Sequence, residues 1–250
     1  MHITLTGNLG SGKSTICKIL RDTYGFEIYS TGTVQRKIAE EMGISVLEMN
    51  ELMCKDHSYD HLIDDTTARI SRENPDKNIV FDSRLAWNFV EKSFKVFLTV
   101  SIDEASRRVY GDSSRGQVET YKSLEDCKAQ LRARAANEDK RYEDIYGIHY
   151  FDFNNYDLIL DSSHTTPEIL AATIVSLAKE AEERDVKRSV LFSPERLGVT
   201  VCSEETKSVC YPETGVVISK NDNDYEVVEG EEILKKAATE GYSFVNCELR

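Results

Sequence analysis

The sequence predicts an α/β domain built on a mainly parallel sheet, followed by a smaller β-rich segment. Three observations carry this expectation. Short apolar, β-branched runs alternate with helical stretches over roughly the first 185 residues, the pattern of successive βαβ units. Gly7-Asn-Leu-Gly10-Ser-Gly12-Lys13-Ser14 matches GxxxxGK(S/T) in full, with a strand before it and a helix after it. The charged stretch from Lys179 to Arg188 then closes the last helix of the alternating part, and the chain changes character beyond it.

Each element has its own local reason. His2 to Thr6 (HITLT) is a short β-prone run, and Lys13 to Tyr24 is helical with Ile16, Ile19 and Leu20 on one stripe. Phe26 to Tyr29 forms a second strand. Thr33 to Arg72 is helical in pieces, broken at Gly43 and restarting at a capping box, Ser45 to Glu48. Asn78 to Asp82 (NIVFD) and Lys95 to Ser101 (KVFLTVS) are apolar runs of the kind buried in a parallel sheet. Ser123 with Asp126 caps a long polar helix reaching about Tyr146. Asp157 to Asp161 (DLILD) is a fifth strand. Thr166-Pro167 opens a helix carrying Leu170, Ile174, Leu177 and Ala181 at helical spacing. Beyond residue 188, SVLF, GVTV, GVVI and YEVV read as short strands, and Glu231 to Ala238 as a helix. The expected division is a domain over 1–185 and a small β-rich domain over 189–250.

Composition narrows the function. The 250 residues carry 31 Lys+Arg against 44 Asp+Glu, a net charge of −13. A net of −4 falls in residues 186–250, which leaves −9 for the rest. A broad cationic surface for nucleic acid is therefore not expected in either part. Hydrophobic residues make up 40%, enough for a packed core. No apolar run reaches the length of a membrane span, and MHITLTGNLG lacks the charged and apolar regions of a secretory signal. The six cysteines are scattered with no CxxC pair, which reads as a reduced, cytoplasmic protein.

The glycine-rich match is a phosphate loop. Glycines bend the backbone around a phosphate, and the loop amides with the helix N-terminus supply partial positive charge. Gly7, Asn8, Leu9, Gly10, Ser11, Gly12, Lys13, Ser14 and Thr15 would bind the triphosphate of ATP. Lys13 is the point charge for the outer phosphates, and the Ser14 hydroxyl suits Mg2+. The plainer alternative, a glycine-rich turn opening an ordinary helix, does not account for the full match in this context. No NKxD base-reading motif accompanies the loop, because Asn221-Asp-Asn-Asp224 lacks the lysine. A GTPase is not indicated.

Three arginine groups complete the candidate site. Ser30-Thr31-Gly-Thr-Val-Gln-Arg36 follows the second strand, and Asp82-Ser83-Arg84 ends the third. In an open parallel sheet both meet the phosphate loop beyond the C-terminal strand ends. Arg134, Glu138 and Arg141 stand at i, i+4, i+7 on the long helix and share one face, whereas Arg132 points mostly elsewhere. Alone, that row would read as a solvated face of weak ion pairs; beside a phosphate loop it reads as two arginine forks with a carboxylate between them. Asp82 occupies the position of a strand-end acid that holds Mg2+, the alternative being an acid that merely closes a turn.

Together, GNLGSGKST, STGTVQR, NIVFDSRLAW and RARAANEDKRYEDIYGI resemble the cytidylate kinase-like branch of the nucleoside monophosphate kinases, in order, over about residues 1–185. The resemblance implies a P-loop three-layer α/β/α fold with a five-stranded parallel sheet, a mobile monophosphate-binding region and a short lid. It implies ATP-dependent phosphoryl transfer to a nucleoside monophosphate, CMP or dCMP foremost, with Mg2+. By that resemblance Thr31, Arg36, Asp82, Arg84 and Glu138 bind the acceptor, Asp82 and Ser14 hold the metal, and Arg134 and Arg141 act with Lys13 on the transferring group. The pattern departs at Ser83, where cytidylate kinases often carry glycine between acid and arginine. A side chain there bears on which base is accepted. In the tail, Tyr225 to Ala237 resembles in outline a ParB/sulfiredoxin-like module, but Glu231 and Glu232 follow Gly230 where that module has a cation. A degenerate, non-catalytic appendix is expected. The alternative functions are a P-loop kinase for another small acceptor and a nucleotide-binding regulator acting through the appendix.

Lone residues read plainly. His57 and His61 are four apart but do not make a metal site, and Trp87 packs beside the strand end. Cys202 and Cys210 read as thiols rather than ligands.

Overall fold

The computed structural model describes residues 1–44, 48–49, 52, 58–112, 121–201, 207–221 and 224–250; of 58–60 and 207–209 it describes the backbone only. The expected capping box at Ser45–Glu48, as well as His57, Cys54 and Cys202, lies wholly or partly outside these residues.

Six strands run parallel in the order β2 (Glu27–Ser30), β3 (Ile79–Asp82), β1 (His2–Gly7), β4 (Phe94–Thr99), β5 (Leu158–Asp161) and β6 (Ser189–Phe192). All six residues of β1 are buried, as continuous apolar runs require when both sheet faces are covered. The register sets Leu5 beside Asp82 and Gly7 beside Leu98, so the chemistry-bearing residues leave the sheet at one edge.

Helices cover both faces, which gives the three layers expected. On one face α1 (Lys13–Tyr24) packs with α7 (Pro167–Glu183), burying Ile16, Leu20, Leu170 and Ile174 against Leu5, Leu98 and Leu160. Near β3 the helices α2 (Thr31–Met42), α3 (Ser58–Glu73) and α4 (Ala86–Phe89) enclose Val34, Ile38, Ile70 and Phe81. Beyond β4 lie α5 (Ile102–Gly111) and the long α6 (Leu124–Tyr146), joined through Ala105, Val109, Cys127 and Leu131. Only Cys127 and Leu131 of α6 are buried, so most of its length is wet. Ser123 caps it as expected, its Oγ accepting from Asp126 N at 3.1 Å, whereas the Asp126 carboxylate turns to Lys122 N.

The C-terminal segment enters the same sheet. The boundary expected at 185–189 falls in the coil before β6, and β6 pairs in parallel with β5. The sheet then continues through β10 (Tyr242–Leu249), β8 (Val216–Lys220) and β9 (Tyr225–Glu229), with β7 (Lys207–Cys210) on β10, ten strands among the described residues. The five-stranded expectation thus falls short. GVTV at 198–201 is turn and coil rather than a strand, because the Pro194–Gly198 turn, with Leu197 N on Pro194 O at 3.1 Å, redirects the chain. β7 and β10 were not expected. Phe244 of β10, next to β6, joins the core cluster that α1 and α7 cover. The helix α8 (Glu231–Thr239) follows Gly230, whose φ of +89° and whose position, with an added Cβ 2.4 Å from Gly215 O, exclude a side chain.

Among the described residues no helix is long and apolar enough to cross a membrane. Cys17, Cys127, Cys210 and Cys247 form no disulfide among the described residues.

Candidate active site

The phosphate loop leaves β1 at Gly7 and enters α1 at Lys13. Asn8 ties it to the next strand, its N–H donating to Leu98 O at 3.0 Å and its Oδ1 accepting from Val100 N at 3.2 Å. Gly10 has φ +78°, and a Cβ there would sit 2.9 Å from the Ala105 backbone, so only glycine fits. Gly12 precedes α1 without a side-chain cap, which leaves the first helical amides to the loop. Lys13 is pushed down to about 8, chiefly by burial and then by the Arg84 guanidinium, against the opposing charges of Asp82, Cys17 and Glu138. An ammonium so placed is incomplete without an anion. The Ser11 hydroxyl is likewise buried with no hydrogen-bond partner among the described residues.

Beside the loop, the end of β3 builds a second cluster. The Thr6 hydroxyl donates to the carbonyls of Ser83 and Arg84 at 3.1 and 3.2 Å, and Trp87 Nε1 donates to Arg84 O at 3.1 Å. These bonds fix the turn that carries Arg84. Its Nη1 donates to Gly7 O at 2.9 Å and its Nε to Glu138 Oε2 at 3.0 Å. Glu138 also accepts from Arg134 Nε at 3.2 Å and from the Tyr150 hydroxyl at 3.4 Å. Burial raises Tyr150, so its phenol stays a proton donor. Arg134, Glu138 and Arg141 do share one helix face and border a shallow hollow of about 470 Å3.

Thr31 and Arg36 stand exposed at the start of α2, where Ser30 Oγ caps the helix by accepting from Thr33 N at 3.2 Å. Arg36 Nη2 donates to Thr33 Oγ1 at 3.2 Å. Asp82 lies half-buried at the end of β3, beside Ser30 and Leu5 in register. Ser14 and Thr15 are exposed on the first turn of α1. Trp87 is buried beside the strand end as expected, and His61 packs edge-on against Tyr146.

The chain matches the model of the cytidylate kinase-like family over residues 2–164. It belongs to that family. It is 32% identical over 188 residues to the cytidylate kinase of Haloarcula marismortui, covering 74% of this chain and 93% of the relative. It is 30% identical over 179 residues to the cytidylate kinase of Methanobrevibacter smithii, covering 72% and 99%. A 31% identical match spans 69% of this chain but 35% of an S-adenosylmethionine-dependent nucleotide dehydratase of Lacinutrix mariniflava. Among solved structures, an uncharacterized protein from Eubacterium ventriosum aligns with a TM-score of 0.52 at 14% identity, covering 72% of this chain and 98% of that one, a likeness of fold. Nothing in these matches supports the ParB/sulfiredoxin-like resemblance of the tail, and the family match ends at residue 164, before it.

Membership makes the chain a kinase of the P-loop class, and the residues present fit such a ligand. The orphaned Ser11 hydroxyl and the half-buried Lys13 ammonium both call for an anion inside the loop. A divalent cation beside the loop would draw on Ser14 Oγ and the Asp82 carboxylate, the residues the sequence points to. That is a sparse all-oxygen set that suits Mg2+, which keeps waters and takes phosphate oxygens for the rest. Among the described residues no cluster of three His, Cys, Asp or Glu forms a dedicated metal cage.

Arg108 on α5 was missed in the sequence. Its Nη2 donates to Ser162 O at 2.6 Å and to Ser163 O at 3.3 Å, and its Nη1 reaches Gly10 O at 3.5 Å. The loop is thus flanked by two arginines, Arg84 from the β3 side and Arg108 from the β4 side, each turned to one of its carbonyls. The signal available was slight: Arg107-Arg108 with Glu104 reads as an ordinary i,i+3 and i,i+4 surface pairing.

Proposed function

We propose that this chain transfers the γ-phosphoryl group of ATP to a nucleoside monophosphate, with CMP or dCMP as the foremost acceptor. The observation that carries the reading is the junction of Arg84, Glu138 and Arg134 beside the phosphate loop. It brings a strand end and a helix 54 residues apart in sequence onto the edge where the transferring group would lie. The names of the family's relatives support cytidine as the base.

In this reading Gly7 to Thr15 wrap the ATP phosphates, and an outer phosphate beside Lys13 offsets the lowering that burial imposes on its ammonium. Mg2+ held by Ser14 and Asp82 would neutralise charge on the bridging oxygens. Thr31 and Arg36 receive the acceptor phosphate, and Asp82, Arg84 and Glu138 border the acceptor. Arg134 and Arg141 close from α6, their planar forks meeting the equatorial oxygens and excluding water. Glu138 aligns Arg84 and Arg134 in advance, so little reorganisation is needed at the moment of transfer.

A coupled ADP-release assay with a panel of nucleoside monophosphates tests this. CMP or dCMP is expected to stimulate ADP formation most. Stimulation only by dephospho-coenzyme A or shikimate would move the assignment to another acceptor. ATP binding with no acceptor-dependent release would leave a nucleotide-binding regulator. Arg134→Ala is expected to lower turnover with little loss of ATP affinity.

A further inference from the structure

The C-terminal segment, for which the kinase reading has no use, contributes one deeply buried charge. Arg196 lies in the turn after β6, with its side chain 4% exposed. Its Nη1 donates to Asp161 Oδ1 at 2.7 Å and to Thr99 Oγ1 at 3.1 Å. Its Nε and Nη2 both donate to Asp224 Oδ1, at 3.0 and 2.8 Å. The guanidinium lies 4.9 Å from the Phe192 ring and 5.5 Å from the Tyr225 ring.

Asp161, at the end of β5, is fully buried. Its Oδ1 accepts from Ser163 N at 3.1 Å and Ser163 Oγ at 2.7 Å, and its Oδ2 from Ser193 N at 3.2 Å and Ser193 Oγ at 2.6 Å. The Ser162–Ser163 turn so fixed has two further tasks. Ser163 Oγ accepts from Ser101 N at 2.9 Å, at the cap of α5. The carbonyls of Ser162 and Ser163 receive Arg108, whose other nitrogen faces Gly10 O of the phosphate loop. A contiguous set of bonds thus leads from the tail to the loop. Its anchor is the pairing of Arg196 with a carboxylate that no water reaches, and unpairing a buried charge is strongly unfavourable.

We propose that Arg196 is a positioning residue for ATP: through Asp161 and the Ser162–Ser163 turn it sets Arg108 against the phosphate loop, so that the tail is a working part of the nucleotide site. This rests on reading the loop as the ATP site. Arg196 lines a cavity that also borders Asn8 and Leu9 of the loop, but its Nε, Nη1 and Nη2 are all engaged by Asp161, Thr99 and Asp224, so it acts through these neighbours. Its influence falls on the donor side, β4 and β5, whereas the acceptor residues Thr31, Arg36, Asp82 and Arg84 follow β2 and β3.

The test compares Arg196→Met, Arg196→Lys and Asp224→Asn with the full-length protein, by calorimetric titration of ATP with Mg2+ and by KM for ATP and for CMP. Arg196→Met is expected to weaken the Kd and KM for ATP about tenfold, as loss of a supporting partner does at other sites. KM for CMP is expected to stay within about twofold, the scatter of uncoupled positions. Arg196→Lys keeps a cation on Asp161 and is expected to restore most of the ATP affinity. Should Arg196→Met fail to fold, Asp224→Asn, which loosens the guanidinium but leaves Asp161 paired, is expected to weaken ATP by about threefold. Arg250→Ala, on the exposed pair with Glu229 in the same segment, is the control and is expected to change nothing. Unchanged ATP affinity in the Arg196 and Asp224 variants, or equal losses for ATP and CMP, overturns the proposal. Absence of turnover with every acceptor refutes the kinase reading alone, since the ATP titration still reads the effect of Arg196.

Discussion

Replacing Glu138 by glutamine isolates the charge that joins the two halves of the candidate site. In the native protein its carboxylate accepts from Arg84 Nε at 3.0 Å, Arg134 Nε at 3.2 Å and Tyr150 Oη at 3.4 Å. The amide keeps one acceptor and turns donors toward a guanidinium that can only donate. Arg84 and Glu138 are 16% and 22% exposed, so their bond weighs near the range for charged groups, about 1.5–3 kcal/mol. Arg134 is 49% exposed, and its pair adds only about 0.3–0.5 kcal/mol. A loss of about 2 kcal/mol follows, which for a chain of this size lowers Tm by about 4–8 °C. Turnover is expected to fall about a hundredfold as Arg84 and Arg134 lose their common orientation. Thermal melts and coupled ADP release measure both. The double variant Arg84→Met, Glu138→Leu is expected to regain at least half of the lost stability, because it leaves no unpaired half-buried charge, but none of the turnover. A single variant that melts with the native protein and turns over normally would refute the reasoning.

Four further outcomes are expected. Lys13→Met removes an ammonium that burial already disfavours, so turnover is expected to fall by about a thousandfold or more while the ligand-free protein melts no lower than native. A markedly lower Tm would contradict the incomplete-site reading. Gly10→Ala forces a β-carbon at φ +78° to within 2.9 Å of the Ala105 backbone and is expected to cost about 2–4 kcal/mol in urea unfolding. His2 is lowered chiefly by burial and then by the Met1 ammonium, against its bond to Asn74 O and the charge of Glu182. The unfolded chain therefore holds more protons below the ordinary value of 6.5. Stability should be full above that value and fall as the pH drops through the folded one, and His2→Gln should flatten this slope in urea titrations. Phe244→Ala empties a fully buried site in the core cluster shared by the tail strand β10 and the helices α1 and α7 and is expected to cost about 3–5 kcal/mol, in one transition that takes the tail and the parallel strands together.

Much of the parallel sheet was legible because its signals are local. Runs such as NIVFD and DLILD are buried on both faces and need no knowledge of their neighbours. Ser123 and Thr166 announce α6 and α7 through caps within three residues. The row Arg134, Glu138, Arg141 follows from helical spacing alone. What sequence reasoning lost depends on partners far along the chain. β10 mixes Ser243 and Asn246 among apolar residues and becomes a strand because β6, β7 and β8 surround it. GVTV has the composition of a strand, but the turn at Pro194–Gly198 takes it out of register with any partner. Arg108 and Arg196 look like surface cations until Ser162, Asp161 and Asp224 are brought to them across 54, 35 and 28 residues.

The placement of these arginines explains how so acidic a chain can hold an anion. A phosphate loop works through its amides, and an amide points inward only while the neighbouring carbonyl is held outward. Here Gly7 O is engaged by Arg84 from the turn after β3, and Gly10 O faces Arg108 from α5. Both guanidiniums do two things at once: they occupy carbonyls that would repel phosphate, and they leave positive charge beside the loop. Each also needs a carboxylate to hold its direction, Glu138 for Arg84 and Glu104 for Arg108. Several of the acids behind the net charge of −13 are therefore spent within the site on aiming cations. The same logic reaches one shell further out, where Asp161 holds the turn under Arg108 and must itself be paired by Arg196. A loop that binds through backbone geometry is only as exact as the bonds that fix it, and in this chain the last of those bonds comes from the segment that the kinase chemistry alone would not require.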